Sequence, residues 1–226
     1  MILSRVIHHV KNQQWTAVFL DFVIVVLGVV IGIQVSNWNQ ARADDRRTKA
    51  ILAAISADLG DYARTSGDFV NRVSQGLAAF EAARARGEQP APYFFRVRGS
   101  YNPPLSVWEV ALRSDLSNLV SPDLVFDLGF FYSEQQGIGE RFTRYEEFVE
   151  REILPRLGDP SAFYGSDGRL KPVFAQSMER LREWASDNAV LIGASSCLRK
   201  RFEAPRKPGA SCRPDYGKAT PWTPQT

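Results

Sequence analysis

Histidine is almost missing from this chain, and both copies, His8 and His9, precede a long apolar run. The residues beyond that run therefore hold no Ser-His or Cys-His pair for nucleophilic catalysis, and no Glu-x-x-His for a di-iron bundle. Zinc centres built on histidine or on several cysteines fail on the same count, since only Cys197 and Cys212 occur. There is no Walker A loop and no dinucleotide fingerprint; Gly137-x-Gly139, inside a helical pattern, is too short a match. Period-two alternation of any length is missing as well, so no sheet is expected. Carboxylates remain as acid–base candidates, in the cluster Glu146, Glu147, Glu150 and Glu152. They interleave with Arg144 and Arg151 at helical spacing, the pattern of a solvated, salt-paired face. The expectation is a protein that is not an enzyme and carries no cofactor or metal.

What the chain does possess is an apolar stretch. From Thr16 to Val35 only Asp21 and Gln34 interrupt it. Twenty residues of helix rise about 30 Å, the thickness of a bilayer's hydrocarbon core. Trp15 and Trp38 bracket the run at a helical distance of about 34 Å, where interfacial aromatics belong. Residues 15–38 are thus expected to form a transmembrane anchor. Ahead of it, Ile2, Leu3, Val6, Ile7 and Val10 fall at helical spacing with Arg5, His8 and Lys11 on other faces. Residues 1–14 accordingly read as an interfacial amphipathic segment, the alternative being an unstructured positive leader. Ala41-Arg42-Ala43 has the small-x-small form preferred by signal peptidase, but the run is longer than a signal core and contains an aspartate. Retention of the anchor is expected.

Within the span, Gly28 and Gly32 form a small-xxx-small pair. Stepping by three and four, Asp21, Val25, Gly28, Gly32 and Ser36 share one helical face. A face that collects the only acid, both glycines and a serine suits a helix–helix interface made by Asp21, Gly28, Gly32 and Ser36. Self-association into a homo-oligomer, or pairing with a partner transmembrane helix, is expected there, with the lipid bilayer around it. The bland alternative is a chance GxxxG with Asp21 reaching the headgroups.

The run Asp21–Gln40, DFVIVVLGVVIGIQVSNWNQ, resembles the signature of a family of bacterial single-span membrane proteins with a domain of unknown function. Those proteins carry an "IVVxGxxIGIQVxNWN"-type helix followed by a charged helix and a helical domain. Ser106-Val-Trp-Glu and the helix bearing Tyr132 are similar to that family more loosely. The resemblance implies an inner-membrane protein and carries no activity with it.

Beyond Trp38 the sequence turns charged, and helical periodicity then returns. Leu52, Ile55, Leu59, Tyr62, Phe69, Val73, Leu77 and Phe80 make a heptad-like stripe, with Ser66 the one polar step, roughly from Asp44 to Arg86. Gly60, Gly67 and Gly76 each weaken it by about 1 kcal/mol against alanine, so a kink or fray is expected. Gly87, Pro90 and Pro92 end it. Residues 93–105 are aromatic and broken by Pro103-Pro104, a packed loop. Ser106-x-x-Glu109 has capping-box form and opens a short helix through Leu112. Ser121-Pro122 caps a further helix reaching Pro155, and Pro172 opens a last one ending near Phe202, with Phe174, Met178, Leu181, Ala185 and Ile192 inward. The fold class expected is all-α: a single N-terminal transmembrane helix continuing into an antiparallel helical bundle over residues 39–203. Residues 204–226, rich in proline and cations, are expected to be disordered.

The net charge of +3 resides in that tail. From Ser196 onward seven basic residues oppose Glu203 and Asp215, giving +5 and leaving −2 for everything before. Without interleaved aromatics the tail is no stacking platform, and no specific nucleic acid is expected. Cys197 and Cys212 are candidates for a disulfide tying the tail to the last helix, which would require an oxidising compartment; the alternative is two unrelated thiols. Side assignment is contested within the sequence. Arg5 and Lys11 precede the span and Arg42, Arg46, Arg47 and Lys49 follow it, a small excess favouring a cytoplasmic body. The cysteine pair points the other way, as do the family's short N-termini, and a periplasmic body on the bacterial inner membrane is the expectation. Two functions of different class fit: a membrane-anchored interaction or scaffold protein, or a ligand-sensing bundle acting through a membrane partner. The second rests on the aromatic set Tyr93, Phe94, Phe95, Tyr101, Trp108, Phe130, Phe131 and Tyr132, read either as pocket lining or as core.

Overall fold

The computed structural model describes residues 15–96, 106–214 and 216. Every regular element among them is helical, and the sole β-type pairing is an isolated bridge between Tyr164 and Leu170. Helix α1 spans Trp15–Ala85, α2 Ser106–Arg113, α3 Leu116–Leu119, α4 Pro122–Phe148 and α5 Pro172–Arg201. The chain divides into two compact units, residues 1–49 and 50–226, with the boundary inside α1. The segment 1–14, read as an interfacial helix, lies outside the described residues.

In the first unit, α1 is the one helix of the described residues long and apolar enough to cross a membrane. Its apolar side chains from Phe19 to Val35 are exposed, save Val23, which is partly covered. At the charged end of the run Arg42 stacks on Trp38, its guanidinium carbon 3.7 Å from the ring centre. That pairing joins an interfacial aromatic to the cation best suited to cover its face.

The second unit is a helical bundle. Ile55, Leu59 and Val73 are completely buried and Leu52, Phe69 and Leu77 nearly so, as the stripe predicts. Helix α5 runs antiparallel to both long neighbours. Its Arg199, Asn188 and Arg182 meet Ser56, Tyr62 and Glu81 of α1 in rising order, and its Arg201 and Asp187 meet Asp127 and Arg141 of α4. Asp58 of α1 accepts from Tyr132 Oη of α4 at 2.8 Å, while Phe69 and Phe142 both pack on Trp184. Helices α1 and α4 therefore run in the same direction.

No glycine breaks α1. At Gly76 the reason is visible: a Cβ there would lie 1.9 Å from the Tyr93 ring, so the glycine makes room for a neighbour without interrupting the helix. The helix ends where expected. Gly87 takes φ +81°, its amide donates to Arg84 O, and the Glu88 amide reaches back to Ala83 O. This is a Schellman closure, which needs a residue tolerant of left-handed backbone.

Several expectations need correction. Ser121 precedes α4, but its hydroxyl makes no capping bond; Pro122 opens the helix and the Ser121 amide donates to Pro205 O at 2.8 Å. Helix α4 does not continue regularly to Pro155, because it loosens into a π turn over Val149–Ile153 and a 3₁₀ turn over Leu154–Arg156. Proline lacks the amide that an α ladder would require there. On α5 Leu191 occupies the core where Ile192 was expected, the latter being only partly covered. The largest correction concerns the tail: residues 204–214 are not a disordered extension but a bound strap, with Cys212 buried. Composition failed here because the segment's order comes from side chains on α4 and α5.

Candidate functional site

The four residues expected to form a helix–helix interface lie on α1 in the first unit. At 100° per residue, Asp21, Gly28, Gly32 and Ser36 fall within an arc of about 80°. Asp21 and Ser36 are exposed, and a Cβ built on Gly28 or Gly32 meets nothing within 4 Å. Val25 falls within the same arc and is exposed as well, so the face carries one valine among its small residues. Large apolar side chains (Phe22, Ile24, Leu27, Ile31) stand exposed on the other faces.

The second cluster surrounds the C-terminal strap and was legible in the sequence only as a pair of cysteines. Cys197, on α5, and Cys212, on the strap, form a disulfide with Cα atoms 5.5 Å apart. Beside it Asp127 of α4 is only 2% exposed and accepts four hydrogen bonds. Arg201 Nη1 at 2.9 Å and the Cys212 amide at 2.8 Å reach Oδ2; Ser211 Oγ at 3.1 Å and Arg213 Nε at 3.2 Å reach Oδ1. A buried carboxylate is tolerable only when it is this fully satisfied. One turn earlier, Asp123 accepts from Arg201 Nη2 at 2.6 Å and from the Gly209 amide at 3.1 Å. Its carboxyl is held well below the usual carboxylate range. The nearby Ser121 hydroxyl is the largest influence although it makes no bond of hydrogen-bond geometry, followed by the Gly209 amide and Arg201. Farther along α4, Glu134 accepts from Tyr216 Oη at 2.8 Å, and burial pushes that phenol up. These carboxylates could be found in the sequence only as acids at i, i+4 and i+11 of one helix; the side chains they bond, Arg201, Ser211, Arg213 and Tyr216, arrive from 74 or more residues away.

The aromatic set packs mainly against itself and the core. Phe69 meets Phe95 and Trp184, with ring centres 4.8 and 5.0 Å apart, and Phe142 lies 4.7 Å from Trp184. Trp108 stacks on Tyr132 at 5.2 Å, and Phe131 is buried edge-on to Tyr62. Tyr93 fills the notch at Gly76, and Tyr101 lies outside the described residues. The acidic cluster, shared between the end of α4 and the π turn after it, is salt-paired in part: Glu150 with Arg96, and Glu152 with Arg151 and Arg156. Among the described residues no group of three or more His, Cys, Asp or Glu side chains gathers to hold a metal ion. No family model, curated protein or solved structure matches the chain.

Proposed function

We propose that this chain is a membrane-anchored interaction or scaffold protein, held by the span within residues 15–38 and associating through the Asp21–Gly28–Gly32–Ser36 face. The observation that carries the reading is the exposed apolar stretch from Phe19 to Val35, on a helix shared with a folded bundle. Side chains of that kind are stable in lipid and costly in water, roughly 25 cal/mol for each Å² of apolar surface. The bundle supplies a folded body to present to partners, and Phe95, Trp108, Phe131 and Tyr132 of its aromatic set pack in ring contacts of the core. The resemblance of the span to bacterial single-span proteins supports an inner-membrane location.

The Cys197–Cys212 disulfide supports a bundle on the periplasmic side, because such bonds persist in oxidising compartments. Four cations after the span against two before it argue mildly for the opposite side, and the covalent bond outweighs them.

The test replaces Gly28 and Gly32 with leucine. Leucine favours the membrane centre, so insertion should be unchanged while crosslinking of the native oligomer or partner falls. Val29→Leu, on a neighbouring face, should leave it intact. An unaltered crosslinking pattern in the double leucine variant would remove the association from this face.

A further inference from the structure

The strap is bound by two kinds of link that converge on one point. Residues 205–213 lie against the end of α3 and the start of α4 through the Ser121 amide on Pro205 O, Arg206 Nε on Leu119 O at 3.2 Å, and the Gly209, Ser211, Cys212 and Arg213 bonds to Asp123 and Asp127. The covalent link, Cys197–Cys212, joins the same strap to α5. The Cys212 amide is itself a ligand of Asp127 at 2.8 Å, so the carboxylate fixes the residue whose sulfur must meet Cys197.

We propose that residues 205–213 are a redox-coupled strap, in which Asp127 positions Cys212 for bonding to Cys197 and the bond in turn holds the strap on α4. The coupling is reciprocal by thermodynamic linkage: whatever factor the polar anchors add to disulfide formation, the disulfide adds to strap docking. Release requires two reducing thiols, supplied by a dithiol thiol–disulfide exchange protein or by two molecules of a monothiol such as glutathione. In the dithiol route one thiolate of the reductant attacks the sulfur of Cys197, the less buried of the two residues, and the S–S electron pair leaves with Cys212, which takes a proton. The reductant's second thiolate then attacks its own sulfur in the mixed disulfide and frees Cys197, so two thiols form on this chain and one disulfide on the partner. Opening uncovers the strap-facing side of Asp123 and Asp127, while Arg201 of α5 stays paired with both. This inference stands apart from the association proposed for the span.

The experiment uses the full chain in detergent micelles, equilibrated in glutathione buffers of graded poise. Hydrogen exchange is followed at the strap amides and at those of α4 and α5. On reduction, the Gly209 and Cys212 amides, which donate to Asp123 and Asp127, should lose protection at least tenfold while α4 and α5 amides keep theirs. A Ser211→Ala/Arg213→Gln variant removes two strap-side donors and leaves the Arg201 pair with Asp127 intact. It should become half-reduced at a roughly tenfold less reducing glutathione ratio than the parent. Strap amides that stay protected after reduction would overturn the proposal, since the polar anchors alone would then hold the segment. Loss of protection throughout α4 and α5 would also overturn it, leaving the disulfide as a simple crosslink of the bundle. An unchanged midpoint in the variant would overturn the coupling.

Discussion

Gly76 sets two effects against each other, and their magnitudes decide the sign of a single substitution. Helix propensity alone predicts that Gly76→Ala stabilises the chain by about 1 kcal/mol, since alanine restricts the unfolded backbone more than glycine does. The added Cβ, however, would stand 1.9, 2.2 and 2.3 Å from three carbons of the Tyr93 ring. No real side chain tolerates such contacts, and the ring must leave. Its departure forfeits the bond from Tyr93 Oη to Arg72 O at 3.0 Å, worth about 1 kcal/mol, and the burial of a partly covered ring, worth about another 1 to 2 kcal/mol. Local overpacking adds about 1 kcal/mol more. Gly76→Ala should therefore destabilise by about 2 kcal/mol. Gly67→Ala, where a Cβ meets nothing within 4 Å, should stabilise by about 1 kcal/mol. In a Tyr93→Ala background the obstacle is gone, and Gly76→Ala should become stabilising by about 1 kcal/mol. Denaturant titration of the four chains of this cycle reads a coupling of about 3 kcal/mol with a change of sign. If Gly76→Ala stabilises the parent as Gly67→Ala does, the notch is not occupied by Tyr93 and the reasoning fails.

Two other perturbations test the bundle. Burial, and then the bond to Asp58, pushes the Tyr132 phenol well above the ordinary tyrosine range. A phenol whose folded value is raised contributes stability that is whole below about pH 10, the unfolded value, and declines as pH climbs beyond it. Tyr132→Phe should flatten that alkaline decline, and an identical pH profile in denaturant midpoints would count against the assignment. Replacing Arg201, whose side chain is 11% exposed, with methionine strips the buried Asp127 of its closest guanidinium. A loss of about 3 kcal/mol should follow, read as an earlier thermal midpoint, and part of it should return when Asp127→Asn is added.

Much of the helical framework was legible because it rests on local rules. Leu52, Ile55, Leu59 and Val73 declare a buried face by spacing, and Gly87 declares a helix end by the backbone it alone adopts readily. Pro122 and Pro172 likewise declare helix starts, since a helix's first turn has no use for the missing amide. The strap was misread by the same rules. Proline and cations without an apolar period look like unpaired chain, and the acids that order residues 205–213 stand on α4, some 80 residues earlier.

What the sequence by itself determined was therefore the long helices and α2, most of their buried faces and the apolar run of α1, but not the short α3. A period of three to four residues and a twenty-residue apolar length are properties of contiguous chain. Tertiary structure alone decided that α1 and α4 run in the same direction, that Gly76 accommodates Tyr93, and that Asp127 gathers Arg201, Ser211, Cys212 and Arg213. Each of those depends on groups distant in the chain meeting at hydrogen-bond or van der Waals range, and no local pattern encodes such a meeting. The face of Asp21, Gly28, Gly32 and Ser36 was legible from helical spacing alone, and among the described residues nothing lies within 4 Å of a Cβ built on either glycine.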